Sequence, residues 1–444
     1  MNPFGIILTI VCSLAPLFWF AELFSRDPLA ILSQYFGSVA LIIMGVSQLL
    51  ATRWRPLESL FGGLDRIYVQ HKWLGISAMG LILLHDTIDA EMRGARETFL
   101  SELGETLGEL SLYGLLILVT ISLLTFVPYP LWKWSHRFVG AFFAFSALHF
   151  FWVPRPFELA EPLGLYVSFF CVLGVCCYLI TLLQPMIKVG KARYRVEAVE
   201  ETGGAIALSL FAEGTGLRHK SGQFAFISCD VPGLGEPHPF TISSGPRQDR
   251  SLRFSIRPLG DYTRALGQQL QPGVCVTVSG PHGRFLRPKS SSAPQVWIAG
   301  GIGITPFLAW LEQRSEAGDT SKVDLFYCVR NRSQAPHLEE IERLVAENQT
   351  LILHLIESEQ GRRLSAADIE AALGGDVSSA SIWYCGPESL RDDLKRGLLA
   401  RGLPRRRFHY EEFEIRSGLD VIGWAVRLIS HCLKLRDRVQ SRSS

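Results

Sequence analysis

The sequence predicts a multi-domain chain: an α-helical bundle of six membrane spans, then an antiparallel β-barrel, then a parallel α/β sheet. Hydrophobic residues fill 48% of 444 positions and charged residues only 19%, with mean hydropathy +0.20. A soluble chain of this length carries more charge. The apolar excess stops near residue 187. Beyond it come short alternating runs broken by Gly and Pro, and then strand–glycine–helix units. A net charge of +2 without a basic stripe argues against nucleic-acid binding. Nine cysteines without a CxxC pair argue against a disulfide framework, a zinc site or an iron–sulfur cluster.

Six apolar stretches lie at roughly 4–24, 29–50, 68–88, 109–127, 136–153 and 163–184, each near the ~20 residues a helix needs to span hydrocarbon. The first lacks a basic region before it and is longer than a signal core, so it reads as a retained membrane helix. Arg53, Arg55, Arg66 and Lys72 follow the second stretch, Lys133 and Arg137 flank the fourth–fifth connection, and Lys188, Lys191, Arg193 and Arg195 follow the sixth. The opposite loops hold Asp86, Asp89, Glu91, Glu97, Glu102, Glu105 and Glu109. By the positive-inside rule, the N-terminus and everything after residue 187 are expected in the cytosol, and the chain is expected as a multi-pass protein of the plasma (cell inner) membrane.

Four histidines fall in this half: His71 and His85 on the third span, His136 and His149 on the fifth. The steps are 14 and 13 residues, roughly 20 Å along a helix. Spans three and five run in the same direction, so His71 is expected level with His136 and His85 level with His149. Such tiers of facing imidazoles suit the axial ligation of two haem irons. One such histidine alone fits an interfacial or hydrogen-bonded core position better than ligation. Four at matched depths favour ligation, because ionisable groups inside a bilayer are costly. The 13-residue step misses the helical repeat by more than a third of a turn, so the fifth span is expected to tilt, tighten or bend. Phe142 and Phe143 lie between the tiers.

In the soluble half, runs at Tyr194–Val199, Ala205–Leu210, Phe224–Ser228, Leu252–Ile256 and Val274–Ser279 predict the barrel. His238-Pro239-Phe240-Thr241-Ile242-Ser243 offers an aromatic wall beside hydroxyls, as a flavin requires. Arg257 offers a guanidinium for a pyrophosphate, and Gly260-Asp261-Tyr262-Thr263 opens a helix whose N-terminus suits phosphate. Val296–Ala299 then enters Gly300-Gly301-Ile302-Gly303-Ile304-Thr305-Pro306, the strand–glycine–helix turn of a Rossmann-like α/β nucleotide site. Arg330 and Arg332 follow the next strand, where they suit either a 2′-phosphate, as in NADPH, or an ordinary exposed loop. Cys385-Gly386-Pro387 ends a further strand at the carboxyl edge of the sheet.

In this order, from about residue 30 to 415, the motifs resemble those of the ferric reductase/NADPH oxidase family. The resemblance implies a haem domain over 1–187, an FAD-binding β-barrel over 188–290 and an NAD(P)H-binding α/β domain over 291–416. It implies FAD, two haems b and NADPH or NADH as cofactors. By the same resemblance His71, His85, His136 and His149 ligate iron, and Phe142 lies between the haems. His238, Pro239, Phe240, Thr241, Ser243, Arg257, Gly260, Tyr262 and Thr263 bind FAD. Phe240 stacks on the isoalloxazine, Thr241 approaches its N5 and His238 faces the phosphate. Gly300, Gly301, Gly303, Thr305, Pro306, Arg330, Cys385, Gly386 and Pro387 bind the nicotinamide nucleotide, with Cys385 on the nicotinamide side. Phe413 is the expected aromatic lid on the flavin. The implied activity is transmembrane electron transfer to O2 or a ferric chelate, or to a protein partner. Residues 417–444 extend past the family pattern with apolar residues at helical spacing (Leu419, Ile422, Val426, Ile429, Leu433), which suits an amphipathic helix on lipid, on a partner or on the chain's own soluble domain.

Overall fold

The computed structural model describes residues 3–24, 27–88, 98–124, 126–184, 190–287 and 293–411. Phe413 and the extension 417–444 lie outside them. Its described residues divide into two compact units, one formed by the chain up to Trp54 with Tyr68–Gln184, the other by Arg55–Ile67 with residues 190–411.

The helices are α1 (Pro3–Leu14), α2 (Pro16–Leu23), α3 (Pro28–Ala51), α4 (Arg55–Phe61), α5 (Leu64–Thr87), α6 (Phe99–Leu123), α7 (Tyr129–His136), α8 (Val139–Trp152) and α9 (Pro162–Leu183). Among the described residues, five stretches are long and apolar enough to cross a membrane: Phe4–Leu23, Pro28–Ala51, Leu64–Thr87, Phe99–Leu123 and Pro162–Leu183. The expected fifth span differs from its prediction, because it is divided between α7 and α8. The N–H groups of Arg137 and Phe138 bond three residues back, to Trp134 (3.3 Å) and Ser135 (3.0 Å). This tighter turn interrupts the α-helical ladder between His136 and Val139, and it accommodates the 13-residue step.

Within the helical unit α3 is central: 67% of its apolar window is buried, against 11% for α6. It meets α9 through glycines. A Cβ on Gly45 would fall 2.5 Å from the Phe170 carbonyl, and one on Gly174 would fall 2.9 Å from Gly45 Cα. Small residues permit such backbone approach where no water drives helices together. Phe18, Leu29, Ile117, Phe169 and Leu179 stay exposed, as suits helices whose outer faces meet lipid.

The second unit opens with a six-stranded antiparallel sheet in the order β4-β3-β6-β1-β2-β5, from β1 (Lys191–Thr202), β2 (Ala205–Ala212), β3 (Phe224–Cys229), β4 (His238–Thr241), β5 (Leu252–Ile256) and β6 (Cys275–His282). Gly203 and Gly204, both at positive φ (52° and 74°), form the two-residue β1–β2 turn that hairpin twist favours. An isolated antiparallel bridge joins Ile242 to Phe254, linking the two edges of the sheet. Tyr194, Leu208, Ile227, Phe254 and Val278 fill its core. α10 (Asp261–Gln269) lies between β5 and β6.

A five-stranded parallel sheet follows, in the order β11-β10-β7-β8-β9. Its elements are β7 (Gln295–Gly300), α11 (Thr305–Ala317), β8 (Val323–Val329), α12 (Leu338–Ala346), β9 (Leu351–Glu357), α13 (Ala366–Ala372), β10 (Ser381–Cys385), α14 (Glu388–Ala400) and β11 (Phe408–Tyr410). Strand order reverses between β7 and β10, which makes the crevice at their carboxyl ends the place where such sheets bind ligands.

Candidate functional site

In the helical unit, the four histidines meet in two pairs. The His71 and His136 rings lie 6.0 Å apart between centroids and cross at 71°; those of His85 and His149 lie 6.3 Å apart and cross at 68°. Every Nδ1 is already engaged. His71 Nδ1 meets Ser47 Oγ (2.8 Å) and its carbonyl (3.1 Å), and His85 Nδ1 meets Ser33 Oγ (2.8 Å) and its carbonyl (2.9 Å). His149 Nδ1 meets the Gly104 carbonyl (2.9 Å), and His136 Nδ1 meets Ser122 Oγ (2.8 Å). A carbonyl only accepts, so three rings carry their proton on Nδ1. Ser122 donates its own hydroxyl proton to the Leu118 carbonyl (2.6 Å), so it accepts from His136. All four rings thus present Nε2 as a lone pair, the form a metal requires, with the orienting bond already supplied.

Glycines make room around them. Gly37 faces the His85 ring at 3.3 Å from its would-be Cβ, and a Cβ on Gly108 would fall 2.5 Å from His149 Nδ1. A cavity beside the second pair is lined by Gly37, Leu41, Met44, Gly108 and Phe150 among others. Trp132 stacks on His136 at 5.2 Å. Of the two phenylalanines between the tiers, Phe143 is fully buried and packs on Gly174, whereas the Phe142 ring lies against Gly114 of α6. Among the described residues no cluster of three or more His, Cys, Asp or Glu could hold a metal alone.

In the second unit, His238 and Tyr262 stack at 3.7 Å, which joins the two segments expected to hold the flavin. Phe240 is half-buried against the sheet core. Thr241 Oγ1 is buried without a hydrogen-bond partner, and a polar atom in that state calls for a bound group. Thr263 caps its own helix, accepting from the N–H groups of Leu259 (2.9 Å) and Gly260 (3.0 Å). Ser243 is fully buried and bonded to Ser255 (3.0 Å) and the Arg253 carbonyl (3.1 Å). Ser255 continues to His337 Nε2 (2.8 Å), and Glu340 accepts from His337 (3.0 Å) and from both ends of the Arg253 guanidinium (2.9 and 3.0 Å). Burial opposes ionisation of Glu340, yet the bonds from His337 and Arg253 hold its carboxyl down at about 2. This network fastens the antiparallel sheet to α12.

At the β7/β10 crevice, the glycines are required by close approach. A Cβ on Gly303 would fall 2.2 Å from the Cys385 carbonyl, one on Gly300 2.5 Å from Pro387 Cδ, and one on Gly386 3.0 Å from Gly300 Cα. Thr305 and Pro306 begin α11 directly behind this turn. Arg257 reaches to 3.1 Å from the would-be Cβ of Gly301, so the expected pyrophosphate arginine adjoins the nucleotide loop. Arg330 is paired with Glu359 (3.6 Å) and Arg332 with Glu342, while the Arg332 N–H bonds Glu357 (2.9 Å) and Asn331 bonds Glu359 (2.6 Å).

Sequence reading missed Ser33, Ser47, Ser122 and Gly104, which no motif marks, and it missed Glu411. That carboxyl is buried, with Oε2 unpartnered, and burial beside Asp65 pushes it well above the usual range. Burial, reinforced by Glu411, likewise pushes up the Cys385 thiol. An acidic residue shortly after the last strand was the available signal.

Paired imidazoles among apolar helices, with flavin and nucleotide clefts on the following sheets, define a membrane-bound, NAD(P)H-dependent flavin oxidoreductase. Three family models agree: a ferric reductase like transmembrane component over residues 36–147, an FAD-binding domain over 201–304 and an oxidoreductase NAD-binding domain over 297–396. That order is the one found in the ferric reductase/NADPH oxidase family, and the chain carries this architecture. Curated relatives match about half of the chain. The reductase component of propane 2-monooxygenase from Rhodococcus jostii is 26% identical over 51% of this chain and 65% of its own length. Ferredoxin–NADP reductase B of Sorangium cellulosum is 27% identical over 46% and 88%, and a flavohemoprotein of Xylella fastidiosa is 27% identical over 44% and 51%. The chain therefore spans about two thirds or less of the propane monooxygenase reductase and the flavohemoprotein. The solved Amycolatopsis cytochrome P450 reductase matches at 22% identity and TM-score 0.45, covering 50% of this chain and 69% of that one.

Proposed function

We propose that the chain carries electrons from cytosolic NAD(P)H through FAD and two bis-histidine haems b to an acceptor on the opposite side of a cell membrane, with O2 giving superoxide as the leading acceptor. The observation that carries this reading is the set of four Nδ1-anchored imidazoles, each with Nε2 left as a lone pair, whose rings lie in two pairs with centroids 6.0 and 6.3 Å apart. Two metal–nitrogen bonds of about 2.0–2.1 Å, with the ring bodies beyond them, need a centroid separation close to the observed 6.0 and 6.3 Å. The fit supports one iron between each pair, with a porphyrin supplying the remaining donors. When bound, flavin supplies hydride acceptance and one-electron release, and the irons supply one-electron relay.

The chain's own residues bind and orient. His71 and His136 hold one tier, His85 and His149 the other, and Phe142 lies between. The Phe240 and Thr241 face, with Cys385 opposite, positions flavin against nicotinamide. Glu411 holds a proton beside Cys385. A histidine on each side would leave an iron held there no open position for the acceptor, so the chemistry these residues would support is electron transfer without acceptor binding to iron. That chemistry also suits a ferric chelate, the second reading, or a docked redox protein. A reduced-minus-oxidised visible spectrum should show b-type bands at two haems per FAD; a colourless Soret region sinks the proposal. Superoxide-dismutase-sensitive product in air, absent under argon, selects O2 over a chelate.

Thr241→Val keeps the shape and removes the unpartnered hydroxyl. FAD should then dissociate about tenfold more readily, as read by flavin fluorescence after gel filtration; unchanged retention would remove Thr241 from the flavin site. The nucleotide preference follows from charge. Arg330 and Arg332 stand among Glu342, Glu357 and Glu359, two cations against three carboxylates, and a 2′-phosphate adds about −1.5 to −2 more. NADH should exceed NADPH in kcat/KM by about tenfold or more, and Glu357→Gln/Glu359→Gln should narrow the gap. Preference for NADPH in the wild type would refute this.

A further inference from the structure

The second unit contains a broad open pocket outside the flavin and nucleotide clefts. Its walls are Arg55, the start of β1 (Gly190–Arg193), the 213–218 loop and Gly280-Pro281. Four cations line it, Arg55, Lys191, Arg193 and Arg218, against one carboxylate, Glu213. Arg193 is shared with Glu213 (3.6 Å) and Asp230 (3.2 Å), and Arg55 donates to the Gly280 carbonyl. Arg55, Lys191, Arg193 and Arg218 are all exposed.

Chain connectivity fixes where this pocket starts. Arg55 comes four residues after Ala51, the end of α3, and Gly190 six residues after Gln184, where α9 is capped. At about 3.6 Å per extended residue, neither tether exceeds about 14 and 22 Å. Both walls therefore follow closely in sequence on the ends of two apolar spans, at the ends where the basic, cytosolic residues are expected. Basic pockets at the cytoplasmic ends of spans attract the phosphates of anionic lipids.

We propose that this pocket seats the phosphate of an anionic lipid headgroup, so that the chain binds phosphatidylglycerol-type lipids at a defined site. Arg55, Lys191, Arg193 and Arg218 together supply the positive charge of its walls. The site needs neither haem nor flavin, so it stands or falls separately from the electron-transfer reading.

The test is native mass spectrometry of the full-length protein released from phosphatidylcholine vesicles containing phosphatidylglycerol. The wild type should retain phosphatidylglycerol in preference to phosphatidylcholine. Lys191→Gln/Arg218→Gln should weaken that retention about tenfold or more, while Arg405→Gln/Arg406→Gln, two exposed cations elsewhere, should leave it unchanged. Equal FAD content in both variants reports an intact barrel; if the double variant loses FAD, Arg218→Gln alone, expected to weaken retention about fivefold, decides. Equal retention of the two lipids, or an undiminished signal in the pocket variants, overturns the proposal. Displacement of the lipid by excess inorganic phosphate also overturns it, in favour of a free-anion site.

Discussion

His85→Ala is expected to halve the haem content, leaving one haem per FAD, and to abolish electron delivery to the far-side acceptor. His85 and His149 form one pair at 6.3 Å, and loss of either partner leaves an iron with a single protein ligand inside an apolar bundle. The other pair keeps its own anchors on Ser47 and Ser122. Half of the Soret absorbance should therefore survive, with reduction of the flavin by nucleotide untouched. Loss of all haem would show the two tiers to be interdependent, and full retention would remove His85 from ligation. Ser122→Ala, which deletes the bond behind His136 together with the hydroxyl's own bond to the Leu118 carbonyl, should be milder, lowering occupancy of that tier 10–100-fold at limiting haem.

Gly303→Ala carries the second large effect, at the other end of the chain. The added methyl would overlap the Cys385 carbonyl at 2.2 Å. The obstacle is backbone rather than a flexible side chain, so the turn or the end of β10 must move. A displacement of about 1 Å between hydride donor and acceptor costs roughly 100-fold in rate. Stopped-flow reduction of bound FAD should slow by about that factor, while haem bands and FAD content stay at wild-type levels. An unchanged rate would mean that nicotinamide does not approach flavin across the β7/β10 crevice.

The legible part of this molecule was the part written in local pattern. Continuous apolar runs gave four of the expected spans nearly as they stand, because a membrane helix must be apolar along its length. The strands at 205–212, 224–229 and 252–256 follow their alternation, and Gly300–Pro306 and Cys385–Pro387 meet at the strand-order reversal as a nucleotide turn should. β4, β9 and β11 were not read as strands. His238–Thr241 is four residues long with a proline, and Phe408–Tyr410 is three, too short for periodicity to register. The division of the fifth span was foreseen only as a mismatch of angle. Partners distant in sequence were illegible: Ser33 lies 52 residues from His85, and Gly104 lies 45 from His149. The bonds of Ser243 to Ser255 and Arg253, and onward to His337 at the start of α12, were illegible for the same reason.

The interruption between α7 and α8 has a mechanical consequence. A single unbroken rod carrying both His136 and His149 would transmit any twist or slide from one end to the other, and the two histidine pairs would have to be tuned together. With the ladder cut between them, each ring is free to settle against its own neighbours, Trp132 and Ser122 on one side, Gly104 and Gly108 on the other. The joint lets the two pairs be adjusted one at a time.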